Sequence, residues 1–174
     1  ADPGSAEALL AAGATRWRLG AVESADSAMR AALPRLKDSV RERLEDIAPV
    51  ASERDTAIYN RLDDDGKAEF ARRFWTEHDP DLSTSENEAR LEYWSRVTQA
   101  YFLFYEPRRR EWDERGEVYV RYGPPQRADY NPVGATLYSR VGRDSRFLYP
   151  ANVLVWDYPD LGMRVTMQDR VLSE

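Results

Sequence analysis

Hydrophobic residues recur every three or four positions along the first hundred residues, and this spacing predicts a series of α-helices. Residues 6–50 are predicted to form a helical hairpin and a third helix, with Ser24 as the N-cap of the second helix and Asp38 as the cap of the third. Residues 63–75 place three acids ahead of an apolar face, which is typical of a helix whose first turn carries negative charge.

A second long helix is predicted over residues 86–105. Ser85 and Glu88 have the Ser-x-x-Glu spacing of a capping box, and Asp79-Pro80 ends the preceding helix because proline disfavours a helical conformation in the residue before it.

After Pro107 the period of the hydrophobic positions changes from about 3.6 to 2. Residues 117–122, "EVYVRY", are predicted to form a strand, and residues 152–158 and 163–171 flank the turn "PDLG" as a β-hairpin. The predicted fold class is therefore α+β, with N-terminal helices (a repeat-like hairpin plus long helices) packed on a small C-terminal antiparallel sheet.

The composition narrows the possible functions. The 174 residues are 42% hydrophobic and 32% charged, and the net charge is −6. An acidic chain without a long basic run is a poor nucleic-acid binder, and no apolar run approaches the length of a membrane span. Cysteine is absent and His78 is the single histidine, so thiolate catalysis and cysteine-ligated zinc are excluded. No cofactor or metal is predicted, and residues 1–5 are interpreted as a tag or linker.

Small residues mark the crossing of the first two helices. The hairpin resembles a tetratricopeptide repeat, in which the two glycines and the small or apolar positions correspond to Gly13, Gly20, Ala25, Met29 and Ala32. A plain helical hairpin is the alternative interpretation. A single repeat does not bury its own faces, which predicts that residues 6–50 dock on the rest of the chain or belong to a longer array.

A series of short motifs continues through the remaining residues, 51–174. These motifs, in this order and spacing, resemble the GWxTD domain, a bacterial module often found with tetratricopeptide repeats. The matching positions are Phe74, Trp75, Asp79, Pro80, Thr84, Asn87, Glu88, Glu92, Tyr93, Arg96, Val97, Arg115, Gly116, Tyr122, Gly123, Pro125, Trp156 and Tyr158. The signature itself differs, because "REWDERG" places Trp112 one residue closer to Arg115. The resemblance implies a fold and a bacterial envelope or extracellular setting rather than a reaction; a cytoplasmic location stays open.

Four side chains are candidates for catalysis: His78, Asp79, Glu88 and Glu92. The carboxylates could act as acid and base in a hydrolase or bind a hard cation. The favoured interpretation is structural, with Asp79 and Asn87 capping backbone N–H groups. A non-enzyme is therefore the favoured interpretation, and an enzymatic role stays open.

Several aromatic residues and arginines have no role assigned so far. Arg115 is predicted to pair with a carboxylate in residues 79–92. Trp112 and Tyr130 fall in loops, where they could form a surface patch. The predicted function is a protein-interaction or scaffold module that binds a protein partner, and the alternatives are a carboxylate-dependent hydrolase and a glycan-binding module.

Overall fold

The computed structural model describes residues 4–108, 111–131, 136–138, 146–148 and 153–168. The helices in this part of the chain are α1 (Ala6–Arg18), α2 (Val22–Ala32), α3 (Asp38–Glu45), α4 (Glu53–Tyr59), α5 (Asp64–Glu77), α6 (Glu88–Leu103) and α7 (Glu114–Tyr122). The strands are β1 (Tyr105–Glu106), β2 (Glu111–Trp112), β3 (Arg127–Asn131), β4 (Thr136–Tyr138), β5 (Arg146–Leu148), β6 (Val153–Tyr158) and β7 (Met163–Gln168).

The α+β class is confirmed, since helices dominate the N-terminal part and antiparallel strands the C-terminal part. The chain divides into two compact units, residues 1–123 and residues 124–174. The predicted domain boundary at residue 50 does not coincide with this division, because the repeat-like helices share the first unit with α3–α7.

The crossing of α1 and α2 depends on small residues, as the repeat-like pattern predicts. A Cβ added to Gly13 would lie 2.5 Å from Cγ of Met29, so only glycine allows this approach. Met29 and Ala25 are fully buried at the crossing. The predicted caps differ: α2 begins at Val22 rather than after Ser24, and Lys37 rather than Asp38 precedes the first helical residue of α3.

The centre of the first unit is α6, which contacts α1, α2, α3 and α7. Its buried stripe includes Leu91, Trp94 and Val97, and the Trp94 indole donates a hydrogen bond to the Leu44 carbonyl at the end of α3, at 2.9 Å. The N-cap of α6 is Asn87 and not Ser85, so the capping-box prediction is wrong.

Residues 117–122 form the greater part of α7, so the prediction of a strand at "EVYVRY" is wrong. A hydrophobic pattern only six residues long does not distinguish a strand from a helix reliably. The residues that cap the two ends of the segment, Asp113 and Gly123, favour the helix. The Asp113 carboxylate accepts a hydrogen bond from the Arg115 N–H at 2.9 Å at the start of the helix. Gly123, at φ +79°, ends the helix in a conformation that disfavours other residues.

The second unit contains a three-stranded antiparallel sheet in the order β3–β6–β7, and β4 pairs with β5. The predicted hairpin is confirmed: β6 and β7 flank Pro159–Gly162, with Gly162 at φ +60°. Since alternate residues face opposite sides, the register gives the sheet one side that is apolar throughout and one that combines the buried Val153 and Val155 with charged residues. The apolar side carries Ala128, Tyr130, Leu154, Trp156, Tyr158, Met163, Val165 and Met167.

On the opposite side, Asp157 lies between Arg127 and Arg164. The Arg164 guanidinium donates hydrogen bonds to both Asp157 oxygens, and this holds the pKa of the Asp157 carboxyl below its ordinary value. The pair therefore stabilises the fold above the unfolded-state pKa, near pH 4, and its contribution is lost as the pH falls through the lower folded-state pKa.

We expect Arg164→Met to lower the melting temperature at pH 6 and to have a progressively smaller effect as the pH falls towards the lowered pKa of Asp157. Thermal unfolding followed by circular dichroism between pH 2 and pH 7 measures this difference. In an Asp157→Asn background the effect of Arg164→Met should not depend on pH. The same pH dependence in both backgrounds would contradict the pairing.

Candidate functional site

The most distinctive motif residues meet where α5 ends and α6 begins, and we call Phe74, Trp75, Asn87 and Tyr93 the α5–α6 corner. The Trp75 ring lies 5.0 Å from that of Phe74 and 5.3 Å from that of Tyr93. The Asn87 side chain bridges the two helices: its Nδ2 donates to the buried Trp75 carbonyl at 2.6 Å, while its Oδ1 accepts from the Arg90 N–H at 2.8 Å. One amide thus caps α6 and fixes its position against α5.

Tyr93 extends the α5–α6 corner to α3. Its hydroxyl lies within hydrogen-bonding distance of the carbonyl oxygens of Arg43, at 3.1 Å, and Asp46. Burial is the main cause that raises the pKa of Tyr93 far above its ordinary value, so the phenol stays protonated and remains a donor. The Tyr93 hydroxyl therefore provides a hydrogen-bond donor for backbone carbonyl groups at the end of α3.

His78 is the C-cap residue of α5. Its imidazole stacks on Phe74, with ring centroids 4.1 Å apart, and its Nδ1 lies 2.8 Å from the Phe74 carbonyl oxygen. The ring nitrogen that faces the helix is therefore occupied by a C-terminal carbonyl of α5.

The three candidate carboxylates have separate partners. Glu92 accepts hydrogen bonds from the Trp17 indole at 2.5 Å and from Nε of Arg96 at 2.6 Å. Glu88 accepts from the Thr84 hydroxyl at 2.9 Å, and Asp79 accepts from the N–H two residues further on, at 3.3 Å. Within the described residues, no group of three or more acidic or histidine side chains has the arrangement of a metal site.

Arg96 joins α6 to the end of α7. Besides its ion pair with Glu92, its guanidinium donates to the Arg121 carbonyl at 3.2 Å. A Cβ on Gly123 would lie 3.2 Å from the Arg96 Nε. Glycine is therefore favoured at position 123 of this chain for two reasons, a positive φ and the close approach of the guanidinium.

The partner of Arg115 differs from the one predicted. Instead of a carboxylate in residues 79–92, the structure pairs its guanidinium with Asp113, at 2.5 Å from Nη2 to Oδ2, and places it over the Phe104 ring. The pair is local to the start of α7, because only one residue separates its members.

Trp112 is buried, with 3% of its surface exposed, so it does not belong to a surface patch as predicted. Its indole donates to Glu117 at 2.9 Å, and the Arg43 guanidinium lies 5.3 Å from the ring centroid. A Cβ on Gly116 would lie only 2.4–2.5 Å from three Trp112 atoms. The indole therefore packs directly on the first turn of α7.

The other motif residues are divided between the two units. Pro80, Thr84 and Tyr122 belong to the first unit, while Pro125 belongs to the second, as do Trp156 and Tyr158, both buried on the apolar side of its sheet. Tyr130 is 59% exposed, as its assignment to the surface predicts, but it lies in β3 and not in a loop as predicted.

An exposed cluster of apolar side chains was missed by the sequence analysis. We call Tyr101, Phe102, Leu103 and Tyr105 the aromatic patch. Phe102, Leu103 and Tyr105 are 48%, 61% and 44% exposed, and the Tyr101 ring contacts those of Phe102 and Tyr105 at 5.9 and 5.4 Å. The signal was the run "YFLFY", since a helix end buries one face and leaves some of five consecutive apolar residues outside.

No protein-family model, curated protein or solved structure matches this chain. Among the described residues, none of the helices has both the length and the apolar character needed to cross a bilayer.

Proposed function

We propose that this chain is a non-catalytic protein-interaction module, similar to the GWxTD domain, of a bacterial envelope or secreted protein. The observation that carries the proposal is the aromatic patch. Soluble proteins rarely expose contiguous apolar clusters without a use for them, and aromatic side chains are enriched where proteins bind one another.

The internal contacts of the motif residues support a scaffold role for the motif. The polar atoms of Asn87, Tyr93 and Arg96 bond to backbone carbonyls of other segments, and Glu92 bonds to Trp17 and Arg96. Side chains used in this way hold helices together and have little capacity left to bind a substrate. The carboxylate-hydrolase alternative has correspondingly less support.

The ring geometry of the aromatic patch favours a protein partner over a glycan. Tyr101 makes interplanar angles of 81° with Phe102 and 56° with Tyr105, so these rings do not form a flat platform on which a sugar could stack. Tilted rings instead suit a partner that inserts apolar side chains between them.

We expect a photo-crosslinking residue at position 103 to capture a specific protein in the source bacterium. The matched control carries the same residue at position 82, where Leu82 is 80% exposed and lies in the turn before α6. The captured protein is then purified and its affinity measured by isothermal titration calorimetry.

The double substitution Phe102→Ser/Leu103→Ser should weaken this binding at least roughly tenfold, while Leu82→Ser should leave it unchanged. Both variants should melt close to the wild-type temperature, because Leu103 and Leu82 are mostly exposed and Phe102 is about half exposed. Equal capture from positions 82 and 103, capture of a second copy of this chain alone, or unchanged affinity of the double variant would contradict the proposal.

A further inference from the structure

A pocket of about 740 Å³ lies in the first unit, away from the aromatic patch, between the segment that follows α3, the helix α4 and the last turn of α7. Its volume is within the range of small-ligand sites. Small apolar residues, Ala48, Pro49, Val50, Ala51 and Ala57, form much of its wall. We call it the Arg121 pocket, after its one cationic residue.

The Arg121 guanidinium is held in position. Its Nε donates a hydrogen bond to the Pro49 carbonyl at 2.9 Å, which restrains the guanidinium against the pocket wall. Among the described residues, Arg121 has no carboxylate partner, so its two terminal nitrogens are available to a ligand. A guanidinium fixed through Nε presents these nitrogens as a pair of parallel donors, the arrangement that a carboxylate accepts.

Two further polar side chains line the Arg121 pocket. The Asn60 amide makes no side-chain hydrogen bond and Glu53 makes no ion pair within the described part of the chain. Asn60 can donate and accept, as peptide groups require, and Glu53 can accept from an N–H.

We propose that the Arg121 pocket binds a peptide segment with a carboxylate and small apolar side chains. The carboxylate pairs with Arg121, the peptide groups bond to Asn60 and Glu53, and the side chains lie on the alanine-rich wall. This site is separate from the aromatic patch, and the proposal stands whether or not that patch binds a partner.

The test uses the full chain labelled with ¹⁵N and two probes, acetyl-trialanine with a free carboxylate and the same peptide as its C-terminal amide. Heteronuclear NMR titrations follow the side-chain signals of Arg121 and Asn60 and the backbone signal of Ala57. We expect the carboxylate peptide to shift these signals with a dissociation constant in the millimolar range. The amide should bind at least roughly tenfold more weakly.

Arg121→Met should abolish the shifts, whereas the matched control Arg61→Met should not, because Arg61 is an exposed arginine outside the pocket wall. Ala57→Leu provides an independent test that leaves Arg121 in place, because its larger side chain projects from the alanine-rich wall and should weaken binding of the carboxylate peptide. Equal shifts with the two peptides, tighter binding of inorganic phosphate, or binding that survives both Arg121→Met and Ala57→Leu would overturn the proposal.

Discussion

Replacing Gly116 with alanine is expected to lower the free energy of unfolding of the chain by about 2–3 kcal/mol, because the new methyl group would overlap a tightly packed side chain. The added Cβ would lie 2.4–2.5 Å from Cβ, Cγ and Cδ1 of Trp112. Rotation of the Trp112 indole cannot relieve the contact between the new methyl group and Cβ of Trp112, because this atom does not move when the ring rotates. The ring is also held by Glu117 and covered by Arg43. Urea unfolding followed by circular dichroism measures the loss.

Gly66 offers a matched control for Gly116. Both are the third residue of a helix that follows an aspartate N-cap, Asp63 in α5 and Asp113 in α7. A Cβ on Gly66 would lie 2.9 Å from Asp63 Oδ1 and 3.1 Å from Leu62 Cβ, and Asp63 Oδ1 also accepts the Gly66 N–H that caps α5. Gly66→Ala should therefore destabilise the chain much less than Gly116→Ala, because a small shift of one carboxylate relieves its closest contact and alanine favours helices by about 1 kcal/mol over glycine. Equal effects at both positions would show that packing on Trp112 is not the cause.

Where the local signals agree, the sequence was enough to predict the fold. The acids at the start of α5 and Asp79-Pro80 after its end predicted the bounds of that helix correctly. The turn Pro159–Gly162 between two alternating segments identified the β6–β7 hairpin. In each case the chemistry lies within a few residues of the element that it determines.

The prediction of a strand at α7 was wrong because the local hydrophobic pattern was not what determined the structure. Residues 117–122 satisfy a strand pattern, and the helix is selected by the cap at Asp113, the packing of Trp112 on Gly116 and the turn at Gly123. The capping box failed for a related reason. Asn87 has a second hydrogen bond, to Trp75, that neither Ser85 nor any local rule reveals.

The candidate sites depend on contacts between residues far apart in the sequence. Trp17 bonds to Glu92 across 75 positions, and Arg121 bonds to Pro49 across 72. The ion pair of Glu92 with Arg96 fits their i, i+4 spacing on α6, but nothing in the nearby sequence indicates that a tryptophan from α1 also bonds to Glu92. Motif residues could therefore be recognised from the sequence, while their partners could not.

Asn87→Ala is expected to lower the free energy of unfolding by about 2–4 kcal/mol, since the substitution removes two hydrogen bonds of different kinds. Loss of the N-cap to the Arg90 N–H costs about 1 kcal/mol, and the buried Trp75 carbonyl, left without its donor, adds about 1–3 kcal/mol. Asn87 is only 8% exposed, so water cannot readily replace the lost donor. Chemical unfolding of the purified variant measures the sum.

Two further substitutions at this position separate the two contributions. Asn87→Ser keeps a side-chain oxygen for the cap but loses the amide donor, so it should recover only the capping share of the loss. Asn87→Asp also keeps the cap and adds a charge favoured at a helix N-terminus, yet it directs a carboxylate at the Trp75 carbonyl in a buried position. We therefore expect Asn87→Asp to be less stable than wild type at pH 7 and to gain stability relative to wild type as the pH falls and the new carboxyl is protonated into a donor. An aspartate variant as stable as wild type at pH 7 would mean that the α5–α6 corner does not depend on the amide bridge.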